Sequence, residues 1–150
     1  MTMLFQKGED MATNILLVNQ KGGVGKTTFA DEIAWGLERR GHKVGFGNLD
    51  PQGGANHEKN ADIAIIPVQP GTLGLKPMKR TIKVITEANP DLSFAIIVNN
   101  FAANQTVDRQ FLELLEADDL PVLGTVPTAA AFKQGAAPGK PAYEIAKNNS

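Results

Sequence analysis

The sequence contains no cysteine among its 150 residues. This excludes disulfide bonds, thiolate zinc sites, cysteine-held iron–sulfur clusters and cysteine nucleophiles, and it favours a cytoplasmic protein. No run of about 18 apolar residues occurs, which argues against a membrane-spanning helix. A net charge of -1 provides no overall attraction to nucleic acid, so binding to DNA or to a membrane would need a local patch. Hydrophobic residues at 42% fit one ordinary globular domain.

Residues 1–11 form a mixed, aperiodic stretch without the apolar core of a signal peptide, and a second possible start follows at Met11. We therefore expect residues 1–11 to be a tail or leader, and residues 12–150 to form a single domain. The apolar run at 15–18 is typical of a strand that is buried on both faces of a parallel sheet.

A glycine-rich segment, NQKGGVGKTT at 19–28, follows this strand and precedes a helical pattern at 29–40. Glycines let backbone N–H groups approach a polyphosphate, and the N-terminus of the helix favours the anion. In this context Lys26 would reach the β- and γ-phosphates, and the Thr27 hydroxyl would bind Mg²⁺. A glycine-rich turn alone is more often structural, but the combination predicts a nucleotide site made of Gly22, Gly23, Val24, Gly25, Lys26, Thr27 and Thr28.

The generic phosphate loop has glycine five places before Gly25, where this chain has Gln20 followed by Lys21. The segment KGGVGKTT resembles the deviant Walker A motif of the ParA/MinD superfamily of ATPases. The resemblance implies that Lys21 reaches across a nucleotide-sandwich homodimer, formed on ATP binding, to the partner's phosphates. Such a cation would act as an arginine finger does, neutralising charge on the transferring phosphoryl group.

A second motif, Asp-Pro-Gln-Gly at 50–53, follows a weaker strand pattern at 43–47. By itself it is a turn, and a turn-forming role for Asp50 stays open. After the phosphate loop it resembles a signature of ParA-type partition ATPases, which implies that Asp50 orients the attacking water near Mg²⁺. Asn48 stands where that family often has a further acid, so the resemblance is incomplete there.

Between Gly54 and Ala61 the chain is very short and consists mostly of polar residues. Members of the family usually place a helix and the Walker B strand here, and no apolar run ending in Asp-x-x-Pro-Pro occurs. In this class the Walker B strand lies beside the phosphate-loop strand, so its loss would expose backbone groups at the centre of the sheet. We expect either a reorganised sheet or residues that are missing from this segment, and we favour the second.

Residues 72–89 have the pattern of an amphipathic helix, with Leu75, Met78, Ile82 and Ile85 on one stripe. The other face carries four cations, Lys76, Lys79, Arg80 and Lys83. A basic ridge of this kind could neutralise DNA phosphates without reading sequence. An ordinary solvated helix face is the alternative.

Other features of the second half resemble the same family. The Pro-Val-Gln-Pro segment at 67–70 looks like the strand end beside the nucleotide, and the strand predicted at 94–98 ends at Asn99. The resemblance implies that Asn99 contacts the adenine ring, with an ordinary turn cap as the alternative. The segment at 121–127 resembles the Gly-x-x-Pro strand of the same family, and this resemblance implies that Pro127 lies near the base. A helix is predicted at 107–117, with Phe111, Leu114 and Leu115 directed inward.

The sequence thus predicts an α/β fold, a mostly parallel sheet flanked by helices on both faces, in a P-loop NTPase of the deviant Walker A type that lacks a visible Walker B segment. The resemblance implies an ATPase that uses ATP and Mg²⁺, forms homodimers, binds nonspecific DNA and is stimulated by a ParB-like centromere-binding partner. Such a protein would be cytoplasmic and nucleoid-associated.

Two alternatives remain at this stage. A nucleotide-dependent adaptor with little hydrolysis would fit Asn48 and the missing Walker B motif. A MinD-like positioning ATPase that acts at a membrane is disfavoured by the Asp-Pro-Gln-Gly motif and by the lack of a basic amphipathic helix near the C-terminus.

Overall fold

The structure is a computed structural model that describes the backbone of residues 2–6, 12–47 and 60–128, and the side chains of residues 12–45 and 60–128. In chain order its elements are β1 (Thr2–Gln6), β2 (Thr13–Leu17), α1 (Lys26–Glu38), β3 (Lys43–Gly47), β4 (Ile63–Val68), α2 (Thr72–Ala88), β5 (Ser93–Phe101), α3 (Thr106–Ala117) and β6 (Val122–Pro127).

The described strands form a six-stranded sheet with the order β3-β1-β2-β4-β5-β6. Strands β2, β4, β5 and β6 pair in parallel, with Leu17 opposite Ile65 and Ile65 opposite Ala95. Parallel neighbours need crossover connections, and α2 and α3 supply them between β4, β5 and β6. The predicted α/β fold with a mostly parallel sheet is therefore confirmed.

Helices cover both faces of the sheet, because successive residues of each central strand point to opposite sides. On one face Leu17, Ile65 and Ile97 pack with Phe29 and Ala30 of α1. On the other face the apolar stripes of α2 and α3 pack against the alternate strand residues, in a cluster that includes Leu16, Ile66, Ile96, Met78, Ile85, Phe111 and Leu115. The prediction that Leu114 points inward is wrong, since Leu114 is 51% exposed. Leu114 is three residues after Phe111, but the buried stripe of the helix runs through Phe111 and Leu115, and Leu114 lies at the exposed margin of this stripe.

Part of the segment that we expect to be a tail or leader takes part in the sheet. Residues Thr2–Gln6 form β1, which lies between β2 and β3 and runs antiparallel to both, with Met3 opposite Ile15 and Phe46. The physical reason is that β2 has a row of N–H and C=O groups on the side away from β4, and these groups would otherwise be unpaired. A short segment without clear periodicity satisfies these groups through its backbone.

The expected Walker B region and the candidate catalytic Asp50 lie outside the described residues, as do residues 129–150. The neighbours of the phosphate-loop strand β2 are β1 on one side and β4 on the other.

Candidate functional site

The candidate site lies at the end of the sheet that is formed by the carboxyl ends of the parallel strands. The segments that follow β2, β4 and β5 all begin at this end, because the three strands run in the same direction. Ligands of open α/β sheets bind outside the carboxyl ends of the strands. The segment after β2 is the glycine-rich loop, and the next two strands end close to Gln69 and Asn99.

The loop depends on two glycines with left-handed backbone conformations. Gly23 has φ of 74° and Gly25 has φ of 101°, values that side chains with a Cβ rarely adopt. At Gly25 a Cβ would also lie 2.7 Å from Nδ2 of Asn99, so the chain passes too close to β5 for a larger residue. This packing holds the loop against the sheet immediately before α1.

Helix α1 begins at Lys26, directly after Gly25. Within the described residues no side chain caps this end, and the first turn contains no acidic residue. The first N–H groups of a helix have no partner within the helix, and the helix dipole adds partial positive charge there. The start of α1 is therefore well suited to an anion, and the hydroxyls of Thr27 and Thr28 lie exposed beside it.

The Lys26 side chain folds back over the loop. Its Nζ donates a hydrogen bond of 3.0 Å to the carbonyl oxygen of Lys21. Burial removes water from the ammonium group and lowers the pKa of Lys26. A bound polyanion would restore the charge stabilisation that the lost water provided, so the environment of Lys26 favours an anionic ligand.

Two side-chain amides from neighbouring strands hold the loop carbonyl groups. Gln69, after β4, donates from Nε2 to the oxygen of Gly23 over 3.1 Å. Asn99, on β5, donates from Nδ2 to the oxygen of Val24 over 3.1 Å. Because a carbonyl group held in this way faces the sheet, its negative end is kept out of the space that an anion would occupy.

A third amide fixes the segment that leads into the loop. Asn19 is buried, donates from Nδ2 to the oxygen of Pro67 over 2.8 Å, and accepts a 2.9 Å bond from the N–H of Lys21. The preceding N–H, that of Gln20, donates to Oγ1 of Thr81 on α2 over 3.2 Å. The backbone N–H groups of Gln20 and Lys21 thus both donate to side-chain oxygens. The N–H groups that could bind a ligand are those from Gly22 onward.

The structure brings some predicted site residues together and separates others. Lys21 to Thr28 form one continuous loop and helix start, and Asn99 lies against it. Pro127 ends β6 opposite Phe101, at the same end of the sheet but one strand farther from the loop. The adenine contacts predicted for Asn99 and Pro127 stay predictions, and in the structure the Asn99 amide binds the loop backbone.

The four cations of the predicted basic ridge are all exposed on α2. Nζ of Lys79 lies 2.8 Å from Oδ2 of Asp118, and Nζ of Lys83 lies 3.7 Å from Oε1 of Glu87. Exposed ion pairs of this kind are weak and compete poorly with a dense array of phosphates. The ridge is therefore accessible, although acidic groups partly offset its charge.

Sequence reasoning missed three residues that hold the loop, Asn19, Gln69 and Thr81. A detectable signal existed for Gln69, a polar residue placed directly after the buried strand β4. Asn19 occupies the equivalent place after β2. Thr81 gave a weaker signal, because a threonine on the buried side of a helix often bonds only to the carbonyl four residues earlier.

Within the part of the chain that the structure describes, no helix is long and apolar enough to cross a membrane. The same residues contain no cluster of histidine, aspartate and glutamate side chains that could hold a metal ion without help from a ligand.

Comparison with known proteins agrees with this geometry. A 41-residue segment is 58% identical to the chromosome-partitioning ATPase Soj of Thermus thermophilus, and it covers 27% of this chain and 16% of that protein. A 62-residue segment is 44% identical to the maintenance of carboxysome distribution protein A of Halothiobacillus neapolitanus, and it covers 38% of this chain and 28% of that protein. The matches thus span less than a third of either relative.

The family comparison covers most of the chain. Residues 15–142 match the family described as the CobQ/CobB/MinD/ParA nucleotide binding domain. The match includes the loop, the start of α1 and the strand ends that hold the loop. Together with the parallel sheet and the uncapped helix start, it shows that this chain belongs to the CobQ/CobB/MinD/ParA family of nucleotide-binding domains.

Proposed function

We propose that this chain is a ParA-like ATPase that binds ATP with Mg²⁺ at the loop 19–28 and hydrolyses the γ-phosphate. The observation that carries the proposal is the combination of left-handed Gly25, an uncapped start of α1 and the half-buried Lys26 ammonium in one loop. These features combine positive charge with backbone N–H donors in one segment, which supports the proposal. A triphosphate has the negative charge and the length to contact the backbone N–H groups, the helix start and the Lys26 ammonium at the same time.

The proposed roles follow from the chemistry of each group. The amides from Gly22 to Gly25 would cradle the phosphates, and Lys26 would exchange its bond to the Lys21 oxygen for the β- and γ-phosphates. Thr27 is exposed, and its hydroxyl would hold Mg²⁺. When bound, Mg²⁺ would neutralise negative charge on the phosphates. Asp50 would orient the attacking water, as the resemblance of its motif implies.

Lys21 has a separate proposed role. Its N–H donates to Asn19, and the residue, at the start of the loop, is only partly buried. A side chain placed there is available to a second copy of the chain facing the same end of the sheet. We propose that the dimer forms on ATP binding and that Lys21 then neutralises charge on the partner's γ-phosphate.

The relatives suggest a task of positioning or segregating a large cargo. One is named for chromosome partitioning and the other for the distribution of carboxysomes. We propose that the ATP-bound dimer associates with nonspecific DNA, and so with the nucleoid, through the ridge of Lys76, Lys79, Arg80 and Lys83. A ParB-like partner protein would then stimulate hydrolysis and release the dimer.

A second candidate function is a nucleotide-dependent adaptor that binds ATP but scarcely hydrolyses it. The observation that favours it is Asn48, an amide at the position where related ATPases often carry a carboxylate. An amide is neutral and would contribute less to holding Mg²⁺. Nucleotide binding without phosphate release would support this alternative.

The direct test is calorimetric titration with a hydrolysis-resistant ATP analogue and Mg²⁺. Wild type is expected to bind, and Lys26→Ala is expected to bind about 10- to 100-fold more weakly, because charge-assisted hydrogen bonds are lost. Lys43→Ala, which removes an exposed charge from β3, is the matched control and is expected to bind as wild type does. Equal affinities for all three proteins would refute the proposed role of the loop.

A further inference from the structure

Thr81 makes a contact that its position on a helix does not require. It is 1% exposed and lies on the side of α2 that faces the sheet, beside the buried Met78 and Ile85. Its Oγ1 donates to the oxygen of Pro77 over 2.9 Å, which is the usual way for a helical threonine to satisfy its hydroxyl. The same oxygen also accepts the 3.2 Å bond from the N–H of Gln20.

This second bond joins α2 to the phosphate loop. Gln20 directly precedes Lys21, and its N–H comes from a segment that no strand pairing holds. Gln20 is an exposed residue, but this bond is partly buried between the loop and the helix, and through it Thr81 provides an acceptor for a backbone N–H of the loop. The bond spans 61 positions in the chain, and it therefore makes the local geometry of the loop depend on the position of α2.

The opposite side of α2 carries the basic ridge. Lys79, Arg80 and Lys83 lie within two residues of Thr81 and are exposed. One turn of helix thus has a hydroxyl bonded to the loop on its inner side and cations in solvent on its outer side. A rigid helix transmits displacement between its two faces, and coupling between two sites acts in both directions.

We propose that Thr81 is a positioning residue that couples the phosphate loop to α2, so that nucleotide binding orders this helix and its basic face. This inference rests on the proposed nucleotide binding and deepens it. When a nucleotide fixes the loop backbone, the Gln20 N–H is held toward Thr81 and the central turns of α2 open less often. Conversely, α2 keeps the entrance to the loop in the conformation that binds nucleotide.

The chain contains a matched control for this proposal. Thr86 is also a threonine of α2, and its Oγ1 donates to the oxygen of Ile82 over 2.8 Å. Within the described residues, the hydrogen bonds of its hydroxyl go to carbonyl oxygens of α2 itself. Thr81→Val and Thr86→Val each replace a hydroxyl by a methyl group of similar size, but only the first removes the bond to Gln20. Thr81→Ser keeps the hydroxyl and serves as the conservative variant.

The experiment measures nucleotide affinity and amide hydrogen exchange in the full chain, with a hydrolysis-resistant ATP analogue and Mg²⁺. In wild type, nucleotide is expected to slow exchange in both the loop and α2. Thr81→Val is expected to bind about five- to tenfold more weakly and, at saturating nucleotide, to show protection in the loop but not in α2. Thr86→Val and Thr81→Ser are expected to retain protection in both elements.

Two results would overturn the proposal, and they are distinguishable. If wild type binds nucleotide and Thr81→Val matches Thr86→Val in affinity and in α2 protection, the coupling through Thr81 is refuted while the proposed function stands. If wild type binds no nucleotide, the proposed function and this inference fail together.

Discussion

At the scale of single residues, the site is built mainly by groups that hold the loop rather than by groups that would touch a ligand. Asn99 and Gln69 each donate a 3.1 Å bond to a loop carbonyl. Net contributions of such bonds are about 1 kcal/mol each, but an unsatisfied buried group costs more. Pre-ordering the loop before a ligand arrives lowers the entropic cost of binding.

Gly25 is the residue whose replacement should disturb the loop most. We expect Gly25→Ala to lose about 1–2 kcal/mol from its left-handed backbone alone, and the clash with Asn99 adds to this loss. The melting temperature should fall by roughly 2–8 °C. Gly22→Ala is the control, since a Cβ there meets nothing within 4 Å. Equal melting temperatures for the two variants would contradict this account of the loop.

The lowered pKa of Lys26 predicts how nucleotide affinity depends on pH. Burial favours the neutral amine, so the pKa of Lys26 is lower in the folded than in the unfolded protein. Burying the charged form therefore costs stability at low pH. This cost is relieved as the pH rises through the folded pKa. A triphosphate needs the charged form, so affinity should fall with rising pH earlier than for an ordinary lysine.

Calorimetric titration between neutral pH and about pH 10 would test this, since an ordinary lysine stays mostly protonated over that range. Lys26→Arg is the control, because a guanidinium stays charged throughout. An affinity that is as constant in wild type as in Lys26→Arg would contradict the assigned environment of Lys26.

At the scale of elements, the periodic patterns of the sequence predicted most of the fold correctly. The helix predicted at 72–89 is observed at Thr72–Ala88, and the strand predicted at 94–98 lies within Ser93–Phe101. Leu75 and Ile82 pack against the core as their spacing indicates. These predictions succeeded because apolar residues that form one buried face recur in the sequence with the period of the helix or strand.

The failures at this scale have a different physical origin. β1 was not predicted, because its place in the sheet comes from backbone pairing with β2 and β3 rather than from a buried stripe in its own sequence. The bonds from Gln69 to Gly23 and from Gln20 to Thr81 join residues 46 and 61 positions apart. Local sequence contains no information about which distant carbonyl or hydroxyl such a group will meet.

The basic face of α2 leads to a prediction for DNA binding. Replacing Lys76, Lys79, Arg80 and Lys83 together by glutamine should weaken ATP-dependent binding to duplex DNA and reduce its salt dependence, by about one unit of slope for each lost phosphate contact. Fluorescence anisotropy across a salt series would measure both. Within the set, Lys79→Gln and Arg80→Gln should have similar effects, because the exposed pair of Lys79 with Asp118 is weak.

The control for that measurement changes two exposed charges elsewhere, Arg40→Gln and Lys43→Gln. Its binding should match wild type apart from a small general effect of net charge. If the control and the α2 variant bound DNA equally well, α2 would be an ordinary solvated helix face and the DNA surface would lie elsewhere.

At the scale of the whole molecule, the chain matches a nucleotide-binding family over residues 15–142, and its loop follows the carboxyl end of the internal strand β2. Lys26 and Lys21 both belong to this loop, and the Lys26 ammonium donates to the Lys21 carbonyl oxygen. Two cations of one loop thus have separate proposed functions. Lys26 would bind the nucleotide within one copy, and Lys21 would act on the nucleotide of another.

The most direct test of this central claim compares wild type with Lys21→Ala and Lys26→Ala for nucleotide binding, phosphate release and mass in solution by light scattering. Lys21→Ala should bind ATP as wild type does but lose phosphate release, whereas Lys26→Ala should lose binding first. Wild type should double its mass with ATP and Mg²⁺. Unchanged phosphate release by Lys21→Ala, or hydrolysis by a wild type that stays monomeric, would contradict the account.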